Sequence, residues 1–146
     1  MYKPKIGVMD CILTALTIFL PIGAGTFFSG CRGMKEDGSV MICHWAEMMV
    51  IFLGIAMALV AAACFFVPDR RVKAGLSFAV VPPAVLAALV PGVIIPLCTM
   101  ANMHCRMALR PATIIVSAAI AVAAILNGIV QLMKYRGEKR RMEAMM

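Results

Sequence analysis

Charged residues are scarce in this chain: Asp, Glu, Lys and Arg together make up 14% of its 146 residues, whereas a typical soluble domain has about 25%. Aromatic residues make up only 7%, with a single tryptophan, while 63% of the residues are hydrophobic and the mean hydropathy is +0.96. A water-soluble fold of this length cannot bury so much apolar surface. The composition therefore argues against a cytoplasmic enzyme, a nucleic-acid-binding module and a disordered tail.

Several catalytic patterns are also missing. The sequence has no glycine-rich phosphate-binding loop, so the chain cannot hydrolyse ATP by itself. Ser29 and Ser39 have no evident paired base for nucleophilic catalysis. No Cys-x-x-Cys pair marks a thiol-exchange centre. These absences favour a non-enzymatic protein.

Four apolar segments are long enough to cross a hydrocarbon core of about 30 Å, which takes about 20 residues of helix. They are residues 11–28, 45–67, 74–97 and 112–133. Only short connections remain between them, so there is no room for a separate soluble domain. We predict an all-α fold over residues 1–146, namely a single integral-membrane four-helix bundle.

The lysines and arginines are distributed unequally between the two sides of these segments, and cytoplasmic loops carry the excess. One side has ten: Lys3, Lys5, Arg70, Arg71, Lys73, Lys134, Arg136, Lys139, Arg140 and Arg141. The other side has four: Arg32, Lys35, Arg106 and Arg110. We predict a multi-pass protein of the cytoplasmic membrane with both termini in the cytoplasm and loops 30–44 and 98–111 facing outward. The basic C-terminal tail is interpreted as part of this signal, with docking to an acidic cytoplasmic partner as the alternative.

The third segment is rich in proline, which removes a backbone donor and kinks a helix. Its prolines are Pro82, Pro83, Pro91 and Pro96. We expect this helix to be bent and packed inward, and we favour a packing kink over a gating hinge. Alanine and glycine recur in the other three segments, which predicts close helix–helix packing.

The few polar residues of the segments lie near the segment ends. There we expect hydration to lower the free-energy cost of placing a polar side chain in a membrane span. These polar residues are Asp10, Glu47, Asn127 and Gln131. For Asp10, Asn127 and Gln131 we favour helix capping and interhelical hydrogen bonds. Glu47 complements the macrodipole in the first turn of its helix, or it acts together with Cys43 and His44, one turn earlier.

Six cysteines are present, and they fall into two groups. Cys11 and Cys64 lie near the cytoplasmic ends of their segments, where packing is the expected role. The other four lie in the outward loops, where the compartment permits disulfides. They are Cys31, Cys43, Cys98 and Cys105. One disulfide within each loop, Cys31–Cys43 and Cys98–Cys105, is our preferred pairing, and cross-loop pairing is the main alternative.

The outward cysteines have histidine and methionine neighbours, which are ligands that Cu(I) prefers. The candidate ligands are His44, Met100, Met103 and His104. Copper binding, haem ligation by a histidine and thiol exchange with a partner or a quinone are the alternatives to structural disulfides. We favour the disulfides and expect no cofactor, because methionine is also common as filler in apolar proteins.

Two short stretches combine unusual residues: Met-Ile-Cys-His-Trp-Ala-Glu at 41–47 and Cys-Thr-Met-Ala-Asn-Met-His-Cys-Arg at 98–106, followed by Pro111. They resemble the signature of a bacterial family of small four-span membrane proteins, domain-of-unknown-function family 4418. Ala46 departs from the small polar residue common in the family after the tryptophan. The resemblance implies four spans and paired outward cysteines. Members are often encoded near ABC transporters of the MacB-like kind, which implies an accessory membrane subunit and no known activity.

The leading functional hypothesis is therefore a non-enzymatic accessory or interaction subunit of a bacterial cytoplasmic membrane, associated with a MacB-like ABC transporter. The expected partners are the lipid bilayer and other membrane subunits, and not nucleic acid. A membrane thiol–disulfide oxidoreductase is the second hypothesis, since its general layout is also four spans with two outward cysteine loops. An outward copper- or haem-binding protein is the third.

Overall fold

The computed structural model describes residues 7–27, 42–96 and 105–146, with the side chains of residues 105 and 106 excepted. Five α-helices are present in these ranges: α1 is Val8–Thr26, α2 Ile42–Phe66, α3 Arg70–Ala79, α4 Val81–Leu89 and α5 Arg110–Met145. A single π-helical turn, Cys105–Leu109, leads directly into α5. The prediction of an all-α fold is confirmed for the described part of the chain.

Four helical stretches are long and apolar enough to span a membrane, and α3 and α4 together form the third of them. Only 28–33% of the most apolar window of each stretch is buried inside the protein. Large apolar side chains such as Phe52, Leu59 and Ile115 are about two-thirds exposed, at 67%, 67% and 68%. Such a surface requires an apolar solvent, so the chain is a multi-pass membrane protein.

The core between the helices is built largely from small side chains. The helix α5 packs against α1, α3 and α4, and α1 packs along α2. Fully buried alanines lie at these contacts: Ala24, Ala46, Ala61, Ala84, Ala87 and Ala124. Leu13, Met57 and Ile120 fill the space between them. Small residues allow helices to approach closely in lipid, where van der Waals packing is a main source of association, as the sequence predicts.

The proline-rich third span is broken rather than gently bent. α3 ends at Ala79, the Val80 N–H bonds to the Ser77 carbonyl oxygen at 3.3 Å, and α4 starts at Val81. Pro82 and Pro83 follow at once, and neither has an N–H to continue the α-helical hydrogen bonds of α3. The helical hydrogen bonding of the third span is therefore interrupted just before the prolines, because neither proline can donate to a carbonyl of the preceding turn.

The third span is also displaced along the chain relative to the predicted segment 74–97. It begins at Arg70 and ends at Leu89. Pro91 lacks a donor, and Gly92 takes a φ of +100°, a backbone conformation that favours glycine. The Ile95 N–H then returns to the Val90 carbonyl oxygen at 3.0 Å and closes a turn. The apolar residues after Leu89 therefore form a turn and not a further helical turn.

The last helix continues well beyond the predicted end of the fourth segment at residue 133. It remains helical to Met145, so the basic tail is a helix rather than an irregular segment. Its Lys, Arg, Glu, Ala and Met residues are strong helix formers, and Lys139 and Glu143 form an i,i+4 ion pair at 3.8 Å. We call residues 134–145 the α5 arm.

Candidate functional site

Buried polar side chains from three helices meet at one end of the molecule, and we call this group the Asp10 cluster. Its members are Asp10 of α1, Lys73 and Ser77 of α3, and Asn127 and Gln131 of α5. Every one of them is buried, with exposed fractions of 2%, 4%, 0%, 1% and 6% in that order. Because so little of each side chain is exposed, the protein itself has to satisfy their hydrogen bonds and charges.

The carboxylate of Asp10 accepts hydrogen bonds from α5 and from the start of its own helix, and it forms an ion pair with Lys73 of α3. Asn127 Nδ2 donates to Asp10 Oδ1 at 2.8 Å, and Gln131 Nε2 donates to the same oxygen at 3.4 Å. The backbone N–H of Gly7 donates to Asp10 Oδ2 at 3.3 Å, so Asp10 also caps its own helix. Lys73 Nζ lies 3.7 Å from Oδ2 and supplies the opposite charge. Asp10 thus combines the capping and the interhelical hydrogen bonds that the sequence suggests for it.

A second set of bonds ties α3 to α5. Asn127 Nδ2 also donates to Ser77 Oγ at 3.0 Å, and Ser77 Oγ donates to the Lys73 carbonyl oxygen at 2.9 Å. Asn127 therefore bridges Asp10 and Ser77 with one amide nitrogen. Its Oδ1 is buried and has no hydrogen-bond partner among the described residues. The amide nitrogen of Asn127 is the only atom of the cluster that we find bonded to two other helices.

Close backbone packing keeps α3 and α5 in this register. A Cβ atom on Gly128 would lie 2.8 Å from ring atoms of Phe78, closer than real Cβ contacts. Gly128 directly follows Asn127 in the chain, so the absence of a side chain at 128 lets α5 reach α3 where the hydrogen bonds are made. On the other side of the core, Gly54 of α2 fits against Pro21 of α1 in the same way.

The sequence located three of the five members, Asp10, Asn127 and Gln131, and suggested capping and interhelical hydrogen bonds for them. Water was expected to solvate these side chains, but protein encloses them and supplies their hydrogen bonds. Lys73 and Ser77 were missed, because Lys73 was assigned to a loop as an orientation charge. A signal did exist: Lys73 and Ser77 are four residues apart and lie on one helix face, and an acid within a span needs a cationic partner.

The other end of α2 carries some of the residues singled out for disulfides or metal binding. Cys43 is fully buried, Glu47 is 4% exposed and His44 is half-buried, whereas the neighbouring Trp45 is 64% exposed. The remaining candidates, Cys31, Cys98, Met100, Met103 and His104, lie outside the described residues, as does the side chain of Cys105. Within the described ranges no three His, Cys, Asp or Glu residues form a group that could hold a metal ion. The predicted pairings and ligands remain predictions.

The two cysteines expected to pack differ from each other. Cys64 is 2% exposed, and its Sγ donates to the Val60 carbonyl oxygen at 3.6 Å. Cys11 lies on the outer face of α1 and is exposed. Both are free thiols. The packing role therefore holds for Cys64 and is wrong for Cys11, because the adjacent position in α1, Asp10, takes the inward-facing direction.

Basic residues collect at the same end as the Asp10 cluster, which we call the basic end. Arg70 Nη2 lies 2.8 Å from Glu138 Oε1, so the start of α3 is joined to the α5 arm. Gln131 joins the start of α1 to the same part of α5. An open cleft of about 350 Å³ lies between residues 68–72 and Tyr135 and Glu138. Arg70, Arg71 and the α5 arm therefore lie at the same end of the molecule.

Comparison with known proteins yields one family. No curated protein and no solved structure matches the chain. A family model described as "Domain of unknown function (DUF4418)" matches residues 8–130, which include all four membrane-spanning stretches up to the last turn before the arm. The match covers most of the 146 residues, and it agrees with the resemblance carried by the stretches at 41–47 and 98–106. The chain belongs to the DUF4418 family of proteins of unknown function.

Proposed function

We propose that this protein is a non-enzymatic accessory subunit of a bacterial cytoplasmic membrane, and that its partner is a MacB-like ABC transporter. The observation that carries the proposal is the α5 arm. This helix leaves the packed core and continues for 12 residues, of which all but Tyr135 are exposed. The chain's own fold uses little of the α5 arm, so the surface of the arm is available to another protein.

We also propose the orientation of the chain. The basic end, with Arg70, Arg71 and the α5 arm, would face the cytoplasm, because cytoplasmic loops carry the excess of lysine and arginine. The spatial grouping of these residues supports this, since all of them belong to one end of the molecule. Both termini would then be cytoplasmic. The loops before α2 and before α5, together with the helix starts at Cys43 and Cys105, would face outward and carry the disulfides.

Thiol exchange is less well supported than structural disulfides. A thiol that exchanges with a partner has to be accessible and of low pKa, whereas Cys43 is fully buried. Burial suits a cysteine whose role is to fix the loop against the start of α2. Copper or haem binding by His44 and the outward methionines is the remaining alternative.

Purification from native membranes tests the accessory role. The full chain, tagged at the N-terminus and expressed from its own locus, is extracted in mild detergent, and the co-purifying proteins are quantified. We expect the permease and the ATPase of one ABC transporter in near-equal amounts. The control is a different four-span protein with the same tag and a similar abundance. Recovery of the chain without any transporter subunit, or equal recovery with the control, would refute the proposal.

A further inference from the structure

We propose that the α5 arm docks through one of its faces onto an acidic protein surface in the cytoplasm. This face consists of Arg136, Gly137, Arg140, Arg141 and Ala144, and we call it the arm face. The inference rests on the proposed function, because it names the chemistry by which the accessory subunit would engage its partner.

Helix geometry defines the arm face. Successive residues of an α-helix are about 100° apart, so residues 136, 137, 140, 141 and 144 fall within one side of the arm. Tyr135, Glu138 and Met142 fall on the other side. That other side is directed at the body of the protein, because Glu138 pairs with Arg70 at 2.8 Å and Tyr135 lines the cleft beside residues 68–72. The arm face therefore points away from the chain's own helices.

The arm has an excess of positive charge, and its arginines without an ion pair lie on the arm face. The arm has five basic residues and two acidic ones. Both acids have ion-pair partners, Glu138 with Arg70 and Glu143 with Lys139. The three arginines of the arm face have no ion pair among the described residues. Their guanidinium groups are suited to bidentate bonding with carboxylates, so an acidic surface is the complementary partner.

Small residues make the arm face approachable. Gly137 and Ala144 lie two turns apart along its middle, between Arg136 and Arg140 on one side and Arg141 on the other. A Cβ atom on Gly137 would meet nothing within 4 Å. A partner helix can therefore approach the backbone of the arm between Arg136 and Arg140 on one side and Arg141 on the other. These arginine side chains can then bond to acidic residues of the partner.

Distance from the bilayer favours a protein over lipid as the acidic partner. Arg140 and Arg141 are seven and eight residues beyond Met133, the last residue of the apolar segment, which corresponds to about 10–12 Å along the helix axis. The headgroup layer is about 5–8 Å thick on each side, and charges are screened within about 8 Å at physiological salt. Lys134 and Arg136 lie within the headgroup layer, whereas Arg140 and Arg141 lie about 2–7 Å beyond it, where salt already weakens their attraction to anionic lipid.

Site-specific photo-cross-linking in living cells tests the proposal with the full chain. A benzophenone amino acid replaces Ala144 on the arm face, and Met142 on the opposite side serves as the matched control, since both positions are exposed. We expect position 144 to cross-link to a cytoplasmic peptide with an excess of Asp and Glu, and position 142 to cross-link at least about fivefold less. Cross-links only to lipid, equal cross-linking at both positions, no cross-link at 144, or a target peptide without acidic excess would each overturn the proposal.

Charge reversal distinguishes docking through the arm face from a nonspecific electrostatic attraction to the whole arm. The variant R140E/R141E should lower cross-linking at position 144 about tenfold, because each exposed charge pair contributes up to about fivefold and the reversal adds repulsion. The control Lys139→Glu lies outside the arm face and changes the net charge half as much, and it should reduce cross-linking about twofold or less. Equal losses in both variants would overturn the arm face as the site.

The same variants separate this inference from the proposed function. If the unmodified chain co-purifies with a transporter and R140E/R141E co-purifies equally well, the accessory role stands and the docking face is wrong. If the unmodified chain recovers no transporter while position 144 still cross-links to an acidic peptide, the docking face stands and the transporter assignment is wrong.

Discussion

The amide nitrogen of Asn127 lies 2.8 Å from the carboxylate of Asp10, although 117 positions separate the two residues in the chain. This bond joins the first turn of the first span to the last span, and the same nitrogen reaches Ser77 of α3 at 3.0 Å. Three helices are thus fixed at one end by a single side chain.

Replacing one residue of the Asp10–Lys73 pair should lower the free energy of unfolding more than replacing both residues. In Asp10→Asn the ammonium group of Lys73 stays buried without its counter-charge, and loss of one partner of a buried pair costs about 3–5 kcal/mol. Replacing both residues, as in D10N/K73M, removes the charge as well and should recover at least about half of that loss. Reversible unfolding in mixed detergent micelles gives the free energies. A double variant less stable than Asp10→Asn would show that the two charges do not stabilise each other.

Two glycines of α5 should respond in opposite directions to alanine. Gly128→Ala places a Cβ at 2.8 Å from the Phe78 ring, so the helices must separate, at a cost of about 1–3 kcal/mol. Gly137→Ala meets nothing within 4 Å and should stabilise the exposed arm by up to about 1 kcal/mol. Unfolding in detergent measures the first and helix content by circular dichroism the second. The double variant F78A/G128A should be less impaired than the sum of its single changes, since the clash is relieved.

The mass of the purified protein should reveal the state of the outward cysteines. We expect two disulfides among Cys31, Cys43, Cys98 and Cys105 that survive mild reductant, while Cys11 and Cys64 remain free thiols. Intact mass spectrometry after alkylation under denaturing conditions counts them, with fully reduced protein as the control. One pair that opens under mild reductant would favour thiol exchange instead. Four free thiols with bound copper or a Soret band would favour a metal or haem site.

Labelling from each side of the membrane should establish the orientation. In a background lacking the native cysteines, Gly137→Cys on the exposed arm should react with a membrane-impermeant maleimide only after the cells are opened. Ser39→Cys, in the loop before α2, should react in intact cells. Labelling of Gly137→Cys in intact cells would reverse the proposed topology. Native abundance of both variants in the membrane is the control for correct insertion.

The helices were readable from the sequence because their signals are local. Apolar runs of sufficient length predicted all four spans, and Pro82 and Pro83 predicted the interruption in the third. The exact ends of the helices were harder to predict. The apolar run continues to Leu97, but α4 ends at Leu89 because Pro91 and Gly92 lie in a turn. The helical arm was not predicted, because residues 134–145 were interpreted by their charge alone. Their high helix propensity would have predicted the helix.

The Asp10 cluster was only partly predictable, for a different physical reason. Its bonds connect residues that are 50 to 121 positions apart, so they depend on how α1, α3 and α5 are arranged around one another. The four-residue spacing of Lys73 and Ser77 places both on one helix face, but it does not identify the residues of other helices that pair with them. Those residues are brought together only when the close contact of Gly128 with Phe78 brings α5 against α3.

The sequence separation within the Asp10 cluster also sets an order of assembly. Spans enter the membrane as they are synthesised, so Asp10 arrives first and Lys73 follows two spans later. Asn127 and Gln131 become available only when almost the whole chain has been made. Until then the carboxylate has no complete set of partners, and a chain cut short before α5 would keep a poorly compensated charge pair in its membrane-embedded part. We expect such fragments to be substrates for membrane chaperones and proteases, so that closure of the Asp10 cluster marks a finished molecule.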